Sequence, residues 1–206
     1  MTNVLIVEDS RVSRELFERQ LGAAGFHVIA AIENAANAEI ACMTNQVDLI
    51  LMDVCTADDE SGLTAAFRIK KNYPAVKIIV MTSMPEYSFI KKAVESGCES
   101  FWYKEHGTVS LQEICRRTME GERVWPEIPP VVMIGLARSD EFTLRELDVI
   151  RGLTRGQHYE EIADSLYMST NTVKYHVRNI MQKSGFRTTI QLVAEVVEKR
   201  LVLPKY

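Results

Sequence analysis

Five short apolar runs, at 3–7, 27–32, 48–52, 77–82 and 99–103, alternate with segments of helical spacing near 10–24, 35–46, 62–72, 86–96 and 109–120. A strand followed by a helix, five times over, buries its apolar residues in a parallel sheet with helices on both faces. The punctuation agrees: Gly25 and Gly97 close helices, Pro74 follows one and Pro85 starts another. The expected fold of this half is α/β, a doubly wound five-stranded parallel sheet.

In such a sheet the carboxyl ends of the strands open onto one crevice. The first run ends in Glu8-Asp9 and the third in Asp53, so three carboxylates are expected to meet there. That cluster is costly unless a cation neutralises it, and hard oxygen ligands favour Mg²⁺. Strand-end acids are common, but Thr82-Ser83 follows the fourth run and Lys104 the fifth. A hydroxyl and an ammonium at the same edge make this more than a chance set of acids.

Composition excludes several classes. With 47% hydrophobic and 25% charged residues the chain has a soluble, globular balance, and no run approaches the length of a membrane span. Met1-Thr2-Asn3 leads straight into an apolar run, so no signal peptide is expected. Cys42, Cys55, Cys98 and Cys115 lie far apart without metal-ligand spacing, as expected of buried thiols in a reducing cytoplasm. Charge divides the chain: residues 1–140 hold 14 Lys and Arg against 20 Asp and Glu, whereas residues 141–206 hold 10 against 8. From Ser165 to Ala194 no acidic residue occurs, while Lys174, Arg178, Lys183 and Arg187 do. Such a basic stretch on a small module is the footprint of a nucleic-acid partner.

This second half has helical spacing over 143–154, 158–166, 170–184 and 188–200, separated by Gly156, Ser169 and Gly185. Along 170–184, Val173, Val177, Ile180 and Met181 share one face. The other side presents Asn171, Lys174, Tyr175, Arg178 and Gln182, with Ser169 as N-cap. An apolar back with a basic, amide-bearing front suits a helix in the major groove. Between the halves Pro126, Pro129 and Pro130 mark a linker, and its stretch Val131-Val132-Met133-Ile134 is apolar enough to pack on one of the domains. The expected boundaries are 1–122, a linker at 123–140, and 141–206.

Glu8-Asp9, Asp53, Thr82 and Lys104 stand in the order and spacing of a two-component receiver domain, which the first half resembles throughout. The resemblance implies a flavodoxin-like fold in which Asp53 accepts a phosphoryl group from a sensor histidine kinase. It implies Mg²⁺ held by Glu8, Asp9, Asp53 and a backbone carbonyl at Cys55. Thr82 would bond the phosphoryl oxygen, Lys104 would pair with it, and Phe101 stands where receivers often place a switch aromatic; a core strand aromatic is the equal alternative. Two departures stand out. The loop from Val54 to Gly62 lacks the usual Met-Pro and is about one residue long, and Glu105 replaces the common proline after Lys104.

Phe142-Thr143-Leu144-Arg145-Glu146, Ile162-Ala163, Leu166, Ser169 and Thr172-Val173-Lys174-Tyr175-His176-Val177 resemble the LuxR-type helix-turn-helix module, an all-α four-helix domain. By resemblance Lys174, Tyr175 and Arg178 face bases or phosphates of double-stranded promoter DNA, Thr172 touches the backbone, and His176 is structural. In the last helix Ile190, Val193, Val197 and Leu201 form the stripe expected to pack inward. Leu192 and Val196 are the pair expected on the open side, as the contact of an active homodimer. The whole resembles a NarL/LuxR-type response regulator: cytoplasmic, not an enzyme, with phosphorylation at Asp53 controlling DNA binding and transcription. The alternatives are the same folds controlled by binding or dimerisation without phosphorylation, and an aspartyl-nucleophile hydrolase. The hydrolase lacks support, because Cys55 stands where its second aspartate belongs.

Overall fold

The computed structural model describes residues 1–104 and 109–202; Glu105, one of the two departures above, lies outside them. The first of two compact units holds Met1–Ser83 and Tyr87–Pro129, and the second begins its main span at Pro130.

In the first unit the chain runs β1 (Asn3–Val7), α1 (Arg11–Ala23), β2 (His27–Ile32), a 3₁₀ turn (Ala35–Asn37), α2 (Ala38–Thr44), β3 (Leu49–Asp53), α3 (Gly62–Asn72), β4 (Lys77–Thr82), α4 (Tyr87–Glu95), β5 (Ser100–Tyr103) and α5 (Leu111–Met119). The five strands form one sheet in the order β2-β1-β3-β4-β5, parallel throughout. Their apolar runs lack alternation because both faces are covered. Val4, Ile6, Leu49, Leu51, Ile79 and Met81 pack with Phe17 and Leu21 of α1 and with Leu111, Ile114 and Cys115 of α5. The intervening strand residues point to the other face, where α2 and α3 lie against the sheet. Ser10, Ser61 and Ser110 cap α1, α3 and α5, each hydroxyl accepting a backbone N–H of the first turn.

The chain after α5 returns along the sheet. Phe101 N–H donates to Val124 O (2.9 Å) and Val124 N–H to Ser100 Oγ (3.1 Å), which occupies the outer edge of β5.

The second unit opens with a short antiparallel hairpin, β6 (Met133–Ile134) and β7 (Ala137–Arg138), turned at Gly135. Four helices follow: α6 (Leu144–Thr154), α7 (Tyr159–Ser165), α8 (Thr170–Ser184) and α9 (Thr189–Glu198). Thr143, Ser169 and Thr188 cap α6, α8 and α9, and Gly185 closes α8 at φ 75°, a left-handed position suited to glycine. Ile134 and Ala137 are buried among Val149, Ile150, Ile162, Val173, Val177 and Ile180. The apolar stretch 131–134 thus packs through Ile134 on the helical unit, and part of the segment expected as linker belongs to that unit's core.

The last helix corrects the sequence reading. Leu192 and Val196, expected on the open side, are both 0% exposed, whereas Ile190 is 79% and Val197 46% exposed. A helix apolar over most of its circumference offers two stripes of equal merit, and its neighbours choose between them. Here α6, α8 and β6 contact α9 and take the Leu192/Val196 side. Leu201 is buried as expected, but from beyond the helix: Arg200 at φ 53° turns the chain so that Leu201 N–H reaches Val196 O. In urea unfolding of the full chain, Leu192→Ala is expected to cost the helical unit about 2–5 kcal/mol. Ile190→Ala is expected to stay within about 0.5 kcal/mol. The reverse ranking would return Leu192 to the surface.

Candidate functional site

Parallel register aligns the functional side chains. Val7 pairs with Met52, Asp53 with Met81 and Thr82 with Tyr103, so the ends of β1, β3, β4 and β5 fall in one row. Glu8 and Asp9 follow β1, Asp53 ends β3, Thr82 ends β4 and Lys104 follows β5. One carboxylate oxygen from each of Glu8, Asp9 and Asp53 lies within 4.8 Å of the others. Lys104 Nζ stands 2.5 Å from Glu8 Oε2 and 2.8 Å from Asp53 Oδ2. Lys104 N–H also donates to Thr82 O (2.9 Å), which fastens the end of β5 to that of β4. Glu8, Asp53 and Thr82 are buried and Asp9 is exposed, so the cluster opens to solvent on the Asp9 side.

The electrostatics follow from the count of groups. Burial lifts the Asp53 carboxyl to about 7; the Lys104 ammonium offsets part of this, and Glu8 and Asp9 add to it. Burial of Lys104 works against its charge, yet Asp53 and Glu8 outweigh it and hold the ammonium above its ordinary value. Three carboxylates facing one ammonium leave negative charge uncompensated. Hard oxygen donors this close, open on one side, fit a small divalent cation such as Mg²⁺.

The long loop after Asp53 is fastened at several points. Val54 N–H donates to Met81 O (3.0 Å) and Gly62 N–H to Val54 O (3.0 Å), and Cys55 bridges to Ser61. A Cβ on Gly62 would stand 1.8 Å from Asp53 O, so only glycine admits this approach. Within the loop Ala57–Asp59 form a 3₁₀ turn, with Asp58 at φ 60°. Thr56 Oγ1 accepts Ala35 N–H (3.0 Å) and donates to Glu60 O (2.8 Å). Asn34 Nδ2 donates to Ala57 O (3.1 Å) and Asp58 Oδ2 (2.9 Å). Sequence reasoning missed Asn34, Thr56, Gly62 and Arg14: Asn34 and Thr56 meet partners more than twenty residues away, whereas Gly62 and Arg14 act on main-chain carbonyls five to nine residues away, Asp53 O for Gly62 and Glu8 O and Asp9 O for Arg14, which no side-chain pattern displays. Only Gly62 carried a signal, as a glycine opening a helix close behind Asp53.

Phe101 is buried, its ring centroid 5.0 Å from that of Tyr103 and 6.5 Å from that of Trp125. It therefore occupies a core position, and the question of a switch role concerns its motion rather than its place.

In the helical unit α8 turns Val173, Val177 and Ile180 inward and leaves Asn171, Thr172, Lys174, Tyr175, Arg178 and Gln182 exposed. The Arg178 guanidinium lies 5.5 Å from the Tyr175 ring centroid, a cation–π contact that orders both exposed side chains. His176 is half-buried. Lys183 leaves the basic stripe: its Nζ donates to Glu146 Oε2 (2.7 Å) and Glu141 O (2.8 Å). Burial works against the charge on Glu146, but Lys183 and the Thr143 N–H hold its carboxyl below the usual range.

Residues 4–116 match the family model described as response regulator receiver domain, and residues 140–196 the one described as bacterial regulatory proteins, luxR family. The response regulator protein VraR of Staphylococcus epidermidis is 31% identical over 160 residues, 75% of this chain and 76% of that protein. VraR of Staphylococcus aureus is 30% identical over the same shares. Among solved structures, RcsB from Salmonella enterica serovar Typhimurium, bound to a promoter in the presence of the phosphomimetic BeF3-, has a TM-score of 0.62 at 19% identity, covering 95% of this chain and 97% of that one. A LuxR-family response regulator from Aurantimonas has a TM-score of 0.56 at 23% identity, over 60% of this chain and 89% of that one. At these identities the structural likenesses establish the fold.

The raised Asp53 carboxyl has a direct consequence. Its protonated form is favoured by folding, so its contribution is complete below pH 3.8 and lost as pH rises through about 7. Lys104, held above its ordinary value, contributes fully at all pH values below 10.5 and so adds no pH dependence within that window. Urea unfolding without divalent cations is expected to show stability falling across this range in the wild type and a smaller fall in Asp53→Asn. Added Mg²⁺ is expected to restore most stability at the alkaline end. Equal slopes in the two proteins would show that Asp53 is not the group responsible.

Proposed function

Because this chain belongs to the response regulators that join a receiver domain to a LuxR-family DNA-binding module, we propose that a phosphoryl group on Asp53, taken from a sensor histidine kinase, controls binding of the α6–α9 module to promoter DNA. The observation that carries this reading is the placement of Asp53 at the end of β3, within reach of Glu8, Asp9 and Lys104. An Asp53 carboxylate oxygen attacks the phosphorus, the phosphorus–nitrogen bond to the kinase histidine breaks, and an acyl phosphate forms as the imidazole leaves with a proton. Lys104 holds Asp53 Oδ2 before transfer and pairs with a phosphoryl oxygen after it. The Thr82 hydroxyl donates to a second oxygen, and the buried Phe101 ring responds to that shift. Mg²⁺, held by Glu8, Asp9, Asp53 and the Cys55 carbonyl, supplies charge neutralisation of the phosphoryl oxygens.

The protein is in this reading the recipient of a phosphoryl group rather than an enzyme with its own small-molecule substrate. Residues 1–122 form the receiver, and 141 onward, together with the 133–138 hairpin, the DNA-binding module. Among the described residues no helix is long and apolar enough to cross a membrane. We place the protein in the cytoplasm, where kinase and promoter are both accessible. Thr172, Lys174, Tyr175 and Arg178 form the face that meets DNA, with bases read in the major groove. The active form is a homodimer joined through the last helix, and the exposed Ile190/Val197 side replaces Leu192 and Val196 as its contact.

Incubation with acetyl phosphate is expected to add one phosphoryl group by intact-protein mass spectrometry, with a requirement for Mg²⁺ and no gain in Asp53→Asn. Persistence of the gain in that variant would place the acceptor elsewhere. Unaltered, donor-insensitive DNA binding in both proteins would favour control without phosphorylation.

Lys174→Ala and Arg178→Ala are each expected to weaken specific DNA binding by about 1–3 kcal/mol for a bidentate base contact. A phosphate contact would instead weaken all sequences alike and lower the salt slope by about one unit. Full binding by the double variant would rule out α8 as the reading helix.

A further inference from the structure

Beyond Val7 the β1 ladder is nearly spent: Glu8 N–H still donates to Ile32 O (2.9 Å), but the next two carbonyls turn to a side chain. Arg14, in the first turns of α1 and 16% exposed, donates through Nη1 to Glu8 O (2.5 Å) and Asp9 O (2.9 Å). Its Nη2 stands 3.7 Å from Glu33 Oε2, and the Glu33 carbonyl accepts Ala57 N–H (2.9 Å) from the loop after Asp53. One guanidinium thus grips the main chain of both acidic residues and touches the segment that anchors the loop on the far side of the site. From this geometry we infer that Arg14 is a positioning residue of the metal site, setting the direction of the Glu8 and Asp9 carboxylates without itself being a ligand.

The physical case rests on what a gripped carbonyl fixes. The peptide planes after Glu8 and after Asp9 are held by one nitrogen, and the plane before Glu8 by its N–H to Ile32 O (2.9 Å), so each acid's Cα lies between two held planes and both Cβ directions are set. Arginine suits this task because its planar fork offers several donors in fixed relation. The fork faces main-chain oxygens and Glu33, not Asp53, which separates its role from that of Lys104. Groups that orient metal ligands from behind change metal affinity by about 10–100-fold when removed.

Charge and geometry make opposite demands here, which gives a test with a sign. As a bare cation beside three carboxylates, Arg14 repels a divalent ion, and its removal would tighten binding. As a positioning residue it has the reverse effect. The inference rests on the metal site proposed above, so the wild-type full chain is titrated first with Mg²⁺ alone by calorimetry. Absence of binding there removes the site itself, and the inference with it, before any substitution is made. With wild-type binding established, Arg14→Met is expected to raise the Kd for Mg²⁺ about 10–100-fold. Arg14→Lys, which keeps the charge but not the fork, is expected to fall between. Far-UV circular dichroism identifies folded variants, and Arg14→Lys provides the measurement if Arg14→Met does not fold. Tighter Mg²⁺ binding in Arg14→Met, or wild-type affinity in either folded variant, overturns the inference.

Discussion

The bridge from Lys104 to Glu8 and Asp53 is the interaction on which the rest of the receiver-like unit turns. It joins the ends of β1, β3 and β5 through one ammonium, at 2.5 and 2.8 Å, in a place where all three groups are largely removed from water. One positive charge cannot satisfy three carboxylates, so the site is stable and yet short of positive charge. That imbalance is chemically useful. Under the proposed function that shortfall would favour a divalent cation, and an added phosphoryl group would give Lys104 a new partner.

The sheet exists to hold that bridge in register. A one-residue slip would exchange the strand side chains packed against α1 and α5 for those packed against α2 and α3, and this fitted packing fixes the strand ends relative to one another. The rigidity extends into the loop after Asp53. Gly62 allows the start of α3 to approach the Asp53 carbonyl, while Asn34 and Thr56 tie the loop to the segment that follows β2. Length in a loop need not bring looseness where its carbonyls and hydroxyls are matched by partners.

In the helical unit the same economy of polar groups sets the surface of α8. Lys183 is bound to Glu146, whose carboxylate also accepts the Thr143 N–H that starts α6. A cation that composition would assign to a nucleic acid is thus part of the module's own framework. Lys174 and Arg178 remain outward, with Arg178 laid against Tyr175, a residue 52% exposed. Net charge located the module in the sequence; hydrogen bonding decided which cations it can offer.

Much of this was legible in residue order. Apolar runs of four to six residues, each with its following helix, determined a parallel sheet, and the acids at the ends of the first and third runs determined where the site would form. Side chains on the ends of parallel strands need no further information to meet. The spacing of Val173, Val177 and Ile180 likewise determined which side of α8 faces inward. Features that depend on a neighbour distant in sequence were not legible. The inward face of α9 was decided by α6, α8 and β6, because its two apolar stripes are equivalent until something packs against one of them. The grip of Asn34 on the loop beyond Asp53 joins residues more than twenty apart; that of Arg14 on Glu8 and Asp9 spans only five or six residues, yet it too was decided by the turn of the chain, here between β1 and α1. Periodicity specifies which residues share a face, but only tertiary contact specifies what that face meets.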